Sequence, residues 1–339
     1  MSENQASDVG KGRVHWSRAI KIALSAVMFV LIFMHVGWAR LVGELRELSV
    51  FTLVVSVGIA SAGTILSIGK WQTILRAQGF VVPFRRLLRI YFVCWFFSMV
   101  TIGGAGGYVY RVWALSRDTK STGVAGATLV VDRIADLAGA TLLVIAGLGI
   151  TAPMFGAWQV ALGAIGLAVL FAVAGYVLLG GGSGHVFGLA RFLPAAWGRR
   201  LARVAEDFGT SANRTGRSGS LWCRILVLSV AFHLSTVFLN YTVADLQGWN
   251  VPWRYFFAFI PLVGLVSLLP LTVNGIGLNQ WLYVYLFSGV GLGPQRALLL
   301  SLLILAITVT WGLVGGVVYA LTAEPAADPV PVSELERPW

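Results

Sequence analysis

An Asp-Arg-x-x-Asp segment, Asp132-Arg133-Ile134-Ala135-Asp136, interrupts an apolar run extending from Ser121 to Ile150. Arg111 stands upstream, closing the stretch Thr101-Ile-Gly-Gly-Ala-Gly-Gly-Tyr-Val-Tyr-Arg. A central Asp or Arg in a membrane helix costs about 2.5–3.5 kcal/mol on insertion scales. Gly103, Gly104, Gly106 and Gly107 add about 1 kcal/mol each if they stand inside a helix. Both penalties fall close together, which marks a place that is used. On a helix, Asp132 and Asp136 lie one turn apart on one face, and Arg133 reaches Asp136 at i+3. Two carboxylates with Arg111 and Arg133 make a cluster close to neutral. Such a cluster can take a lipid phosphate by exchanging partners, with an Asp accepting a proton. A helix start at the glycines would add free N–H groups suited to an anion.

The elements that position these residues must be membrane helices. Of 339 residues, 57% are hydrophobic and 12% charged, against roughly 25% charged in ordinary soluble domains. The net charge of +11 comes from basic residues between apolar runs. There the positive-inside rule and anionic lipid headgroups account for them, and nucleic-acid binding is excluded as a class. The two cysteines, Cys94 and Cys223, form neither a disulfide framework nor a metal-ligand spacing and read as packing residues. No metal or cofactor is expected.

Taken in order, the runs predict an all-α polytopic protein with about six full spans and two re-entrant hairpins. The spans are Ile22–Val36, Val50–Ile68, Ser121–Ile150, Trp158–Leu179, Leu221–Leu246 and Ala297–Leu321; of these Ser121–Ile150 is longer than the roughly 20 residues a crossing needs. Lys70, Arg76, Arg85, Arg86 and Arg89 read as an inside loop with Trp71 at the interface. Residues 1–323 form one translocator domain, 180–219 within it a cytoplasmic amphipathic segment, and 324–339 a disordered cytoplasmic tail. This topology implies a multi-pass protein of the cell (inner) membrane with both termini in the cytoplasm.

Leu87–Ile102, flanked by basic residues on both sides, enters the membrane, turns at the glycines and returns. A second broken region follows Tyr255–Leu269: Pro270-Leu-Thr-Val-Asn274-Gly275-Ile-Gly277-Leu-Asn279-Gln280. With few basic flanks it dips in from the other side. Paired interrupted segments at corresponding places of two halves point to a transporter's midplane site and an inverted repeat. The predicted substrate-binding residues are therefore Gly103, Gly104, Gly106, Gly107, Arg111, Asp132, Arg133 and Asp136 with Pro270, Asn274, Gly275, Gly277, Asn279 and Gln280.

On these two motifs the chain resembles the transmembrane region of lysylphosphatidylglycerol synthases, the flippase-like integral membrane family. The resemblance runs from the first span to about Ala320. Gly103, Gly104, Gly106, Gly107 and Arg111 correspond to its glycine loop, and Asp132, Arg133 and Asp136 to its acidic-Arg-x-x-Asp segment. Pro270, Gly275, Gly277, Asn279 and Gln280 fall on its second signature. The usual first-loop proline is absent, and Asn279-Gln280 replaces a charged Arg-Glu pair. The resemblance implies movement of a phospholipid or lipid-linked headgroup between leaflets. It also implies a stand-alone translocator, because no aminoacyltransferase domain follows.

Blander readings stand beside these. The glycines are also what a close helix crossing needs. The charges are also what a structural ion network needs. Arg111 can instead lie among lipid headgroups. His233 reads as a hydrogen-bonded packing residue, Asn240 and Asp245 as facing the external interface, and Trp38, Trp158, Trp249 and Trp253 as belt anchors. Two other functions remain open: an intramembrane lipid-modifying enzyme, and a non-transporting partner of a cell-envelope synthase. A lipid substrate (phospholipid or lipid-linked saccharide), anionic lipids at the basic loops, a second copy of the chain and such a synthase are the partners in view.

Overall fold

The computed structural model describes residues 49–101, 104–155, 166, 210, 218–267, 272 and 275–322. The expected span Ile22–Val36, the span Trp158–Leu179 except residue 166, the 180–219 segment except residues 210, 218 and 219, the 324–339 tail, and the site residues Gly103, Pro270 and Asn274 lie outside these. Among the described residues the chain is helical: α1 Val50–Ala77, α2 Phe84–Val100, α3 Ala105–Thr119, α4 Thr122–Phe155, α5 Gly219–Leu246, α6 Trp253–Ser267, α7 Leu278–Ser288 and α8 Pro294–Leu321. α1, α4, α5 and α8 are long and apolar enough to cross a membrane. They match four of the six expected spans.

Local sequence sets the ends. Ser49 caps α1 by accepting from Phe51 N at 3.2 Å, and Gly79 leaves the helix at φ +87°. Pro83 begins α2, where its missing N–H costs nothing. Ser218 caps α5, and Pro294 opens α8. α1 does not stop at Ile68 as the sequence reading had it. It continues through Lys70 and Trp71 to Ala77, so those two residues belong to the helix and not to a loop. Both are fully buried.

The element order is a long helix, two short ones and a long one, repeated. The packing repeats with it. The first short helix of each half lies on the last long helix of the other, α2 on α8 and α6 on α4, while α1 lies along α5. Gly63 of α1 meets Ser235 of α5, and Thr73 and Arg76 stand beside Ser220 and Arg224. Position thus rises along one helix as it falls along the other. Equivalent helices α1 and α5 are antiparallel, so the halves are inverted relative to each other and the two hairpins point opposite ways. This is the inverted repeat that the broken segments predicted.

Glycines allow the crossings. A Cβ on Gly315 of α8 would run into the carbonyl of Phe92 on α2. One on Gly147 of α4 would come to 2.6 Å from Ala258 Cα on α6. Each hairpin also has its own core: Ile68, Trp71, Leu87, Ile90 and Leu115 around the first, and Phe256, Phe259, Tyr283 and Phe287 around the second.

Candidate charged cluster in the membrane

Three helices bring the charges together. α1 supplies Lys70, α3 supplies Arg111, and α4 supplies Asp132, Arg133 and Asp136. Counting at 1.5 Å per residue, Lys70, Arg111 and Asp132 lie roughly 10–15 Å in from Ala77, Thr119 and Thr122. Those helix ends form the basic end of the molecule, with Arg76, Arg85, Arg86, Arg89, Arg117 and Lys120 near them. Asp132 is completely buried. Its Oδ2 accepts from Arg111 Nη1 at 2.8 Å and Arg133 Nη2 at 3.1 Å. Lys70 Nζ lies 3.0 Å from Asp132 Oδ1 but aims its hydrogen bond at Asp136 Oδ1. Arg133 Nη2 also pairs with Asp136 Oδ2 at 3.0 Å.

Neighbours fix the carboxylates further. On α5, Ser229 Oγ donates to Asp136 Oδ1 at 3.0 Å and lies 2.8 Å from the Ala135 carbonyl. His233 Nε2 lies 2.9 Å from the Asp136 carbonyl. A carbonyl only accepts, so that ring nitrogen carries the proton. Tyr91 of α2 bonds Ser67 Oγ, one turn before Lys70, at 2.9 Å.

Three cations against two carboxylates leave the cluster with one net positive charge. It also holds more donors than acceptors. Arg111 Nε and Nη2, Arg133 Nε and Trp71 Nε1 are buried without a hydrogen-bond partner among the described residues, and so is one acceptor, Asp132 Oδ1. The guanidinium of Arg111 lies 3.8 Å over the Trp71 ring, and that of Arg133 5.4 Å over Tyr108. Burial is deepest at Lys70 and Asp132 and relaxes outward: the Asp136 side chain is 14% exposed and that of Arg133 34%. The cluster is therefore reached from the Arg133 side. Its surplus is of positive charge and of donors, and buried N–H groups without acceptors are costly.

The glycines that lead to Arg111 do a different job. Gly104 turns the chain at φ +70°, a conformation a Cβ disfavours. Gly106 and Gly107 are where α3 lies against α2. Added Cβ atoms would come to 2.9 Å from the Phe97 carbonyl and 2.6 Å from the Cys94 carbonyl.

The second hairpin closes on itself. Gly275 and Gly277 turn it at φ +74° and +86°. Gln280 is buried, and its Oε1 accepts from Gly277 N at 2.7 Å, capping α7. Asn279 Oδ1 accepts from Ser267 Oγ of α6 at 2.5 Å. Asn240 is fully buried, taking the Tyr283 hydroxyl at 2.9 Å.

Of the predicted site residues, Arg111, Asp132, Arg133 and Asp136 converge, whereas Asn279 and Gln280 serve their own hairpin. Arg111 is buried and does not lie among headgroups. Asn240 does not face the external interface, and Trp249 is 7% exposed and is a core residue. Trp253 is exposed as a belt residue would be, and Cys223 is exposed too. Lys70 was missed because a Lys two residues past an apolar run reads as the start of a loop. The signal available was Trp71 and Ile74–Leu75, which carry the apolar helical pattern on past it. Ser229 gave no signal at all, and Trp71 reads from sequence as an interface residue.

The lysylphosphatidylglycerol synthase transmembrane region matches residues 18–316, and the chain belongs to that family. Curated proteins give no match.

Proposed function

We propose that this member of the lysylphosphatidylglycerol synthase transmembrane family moves a phospholipid, or a lipid-linked headgroup, between the leaflets of the membrane. The observation that carries this is the buried cluster of Lys70, Arg111 and Arg133 on Asp132 and Asp136, with guanidinium N–H groups to spare. A structural ion lock needs matched partners, and a surplus of buried donors leaves a lock unfinished. A phosphate entering beside Arg133 accepts from Arg133 and Arg111, while Asp132 keeps its contact with Lys70. The headgroup then crosses the low-dielectric region bonded to protein instead of bare.

Inverted halves supply the second requirement, two related arrangements that expose a site to opposite sides in turn. The unequal hairpins give this reading an order: the first holds the headgroup, and the second is a neutral counterpart against which the halves rock.

The test is acyl-labelled phosphatidylglycerol in proteoliposomes, with label in the inner leaflet followed by its access to an impermeant quencher. Wild type should speed the exchange well above protein-free vesicles, and the Arg133→Ala/Asp136→Ala double variant should return it towards background. Equal rates in wild type and variant would sink the proposal.

A further inference from the structure

The charge balance of the cluster also bears on which headgroup it accepts. We infer that the site selects headgroups bearing an anionic phosphodiester without an ammonium group, and rejects the lysylated headgroup for which the family is named. This rests on the translocation reading and narrows it.

Every carboxylate oxygen in the cluster already faces a cation. Asp132 Oδ2 takes Arg111 and Arg133, and Asp132 Oδ1 faces Lys70. Asp136 Oδ1 takes Lys70 and Ser229, and Asp136 Oδ2 takes Arg133. Asp132 Oδ1 makes no hydrogen bond, but it is buried with Lys70 Nζ 3.0 Å away, so an incoming ammonium must compete with a cation already present at every one of these oxygens. Of the aromatic faces that can otherwise hold an ammonium, Trp71 is buried under Arg111, and Tyr108, 39% exposed, already carries Arg133 over one face. His233 spends its Nε2 proton on the Asp136 carbonyl. The buried groups of the cluster without a hydrogen-bond partner are mostly donors: Arg111 Nε and Nη2, Arg133 Nε and Trp71 Nε1, against the one acceptor Asp132 Oδ1.

A phosphatidylglycerol headgroup carries one phosphodiester charge, which cancels the net charge of the described cluster. Its hydroxyls need no counter-ion. Lysylation adds an α- and an ε-ammonium to the same phosphodiester. The complex then gathers positive charge in a low-dielectric place, where like charges repel far more than in water.

The experiment compares acyl-labelled phosphatidylglycerol and lysylphosphatidylglycerol in the same proteoliposomes, by the rate at which inner-leaflet label becomes quenchable. Phosphatidylglycerol should exchange at least about tenfold faster, a difference of about 1.4 kcal/mol. In Lys70→Met, which removes one cation, the ratio should fall towards one. Arg133→Gln, at the accessible edge, gives the same reading if Lys70→Met does not purify as a folded protein. Equal or faster exchange of the lysylated lipid by wild type would overturn the inference while leaving the translocation reading intact. Exchange of neither lipid above protein-free vesicles would overturn both. Soluble glycerophosphoglycerol should neither be taken up nor slow the lipid; its uptake in place of lipid would also overturn the inference.

Discussion

Lys70 and Asn240 occupy nearly the same place in the two halves. Counted from the starts of α1 and α5, Asn240 is one residue beyond the place of Lys70. Counted from the starts of α3 and α7, Tyr283 is one residue short of the place of Arg111. In the first half this corner joins a lysine and an arginine through Asp132. In the second it holds one neutral bond, from the Tyr283 hydroxyl to Asn240 Oδ1. The Asn–Tyr pair shows that the same joint between a long helix and a hairpin can be closed without charge. The lysine, two arginines and two aspartates of the other half are therefore more than the joint requires. Their insertion cost supports the headgroup role proposed above.

That comparison is most exposed at Asp132. Asp132→Ala leaves Lys70, Arg111 and Arg133 facing Asp136 alone, and stranding buried charge typically costs about 3–5 kcal/mol. A large fall in the melting temperature of the detergent-purified protein, or loss of folded material, is expected. Tyr283→Phe, at the matching corner, removes one neutral hydrogen bond and should cost about 1 kcal/mol. Similar losses from the two substitutions would remove the distinction between a charged site and a neutral joint.

The next effect concerns what the halves share. Gly315 on α8 and Gly147 on α4 play equivalent parts, each admitting the first helix of the other half's hairpin. Gly315→Ala and Gly147→Ala force apart backbones already in contact, and overpacking of this kind costs about 1–3 kcal/mol. Comparable drops in melting temperature are expected for both. A drop in only one would show that the crossings are not equivalent and that the inverted repeat is confined to the order of helices.

The sequence made the spans legible because apolar length is what a bilayer demands of a helix. It made both hairpins legible because glycines set among polar residues interrupt an apolar run, although glycines alone also serve helix crossings. Asp132, Arg133 and Asp136 announced themselves as charges within such a run; the i, i+4 spacing of the two aspartates predicted one face, with Arg133 three residues before Asp136. What stayed hidden was tertiary. Lys70 is separated from Asp136 by the whole first hairpin, and no local pattern shows that α1 carries it down beside α4. Ser229 is one serine among several on an apolar helix until packing sets it against Asp136. Asn240 read as an external residue because its partner, Tyr283, lies on another element. The glycines were read as part of the binding site, yet Gly106 and Gly107 are occupied by the α2–α3 contact.

Gln280 gives the smallest effect and the cleanest separation of the two hairpins. Its side chain accepts from Gly277 N–H at the start of α7, where the first N–H groups of a helix have no partner within it. Gln280→Ala removes that cap, which is worth about 0.5–1 kcal/mol by analogy with other helix caps. The first turn of α7 should loosen, seen as faster amide exchange at 278–281 and a melting temperature lower by a few degrees. The charges around Asp132 are untouched, so the preference between phosphatidylglycerol and its lysylated form should not move. If Gln280→Ala shifts that preference while Lys70→Met does not, headgroup choice lies in the second hairpin. The neutral joint, not the charged one, would then be the place where the lipid is read.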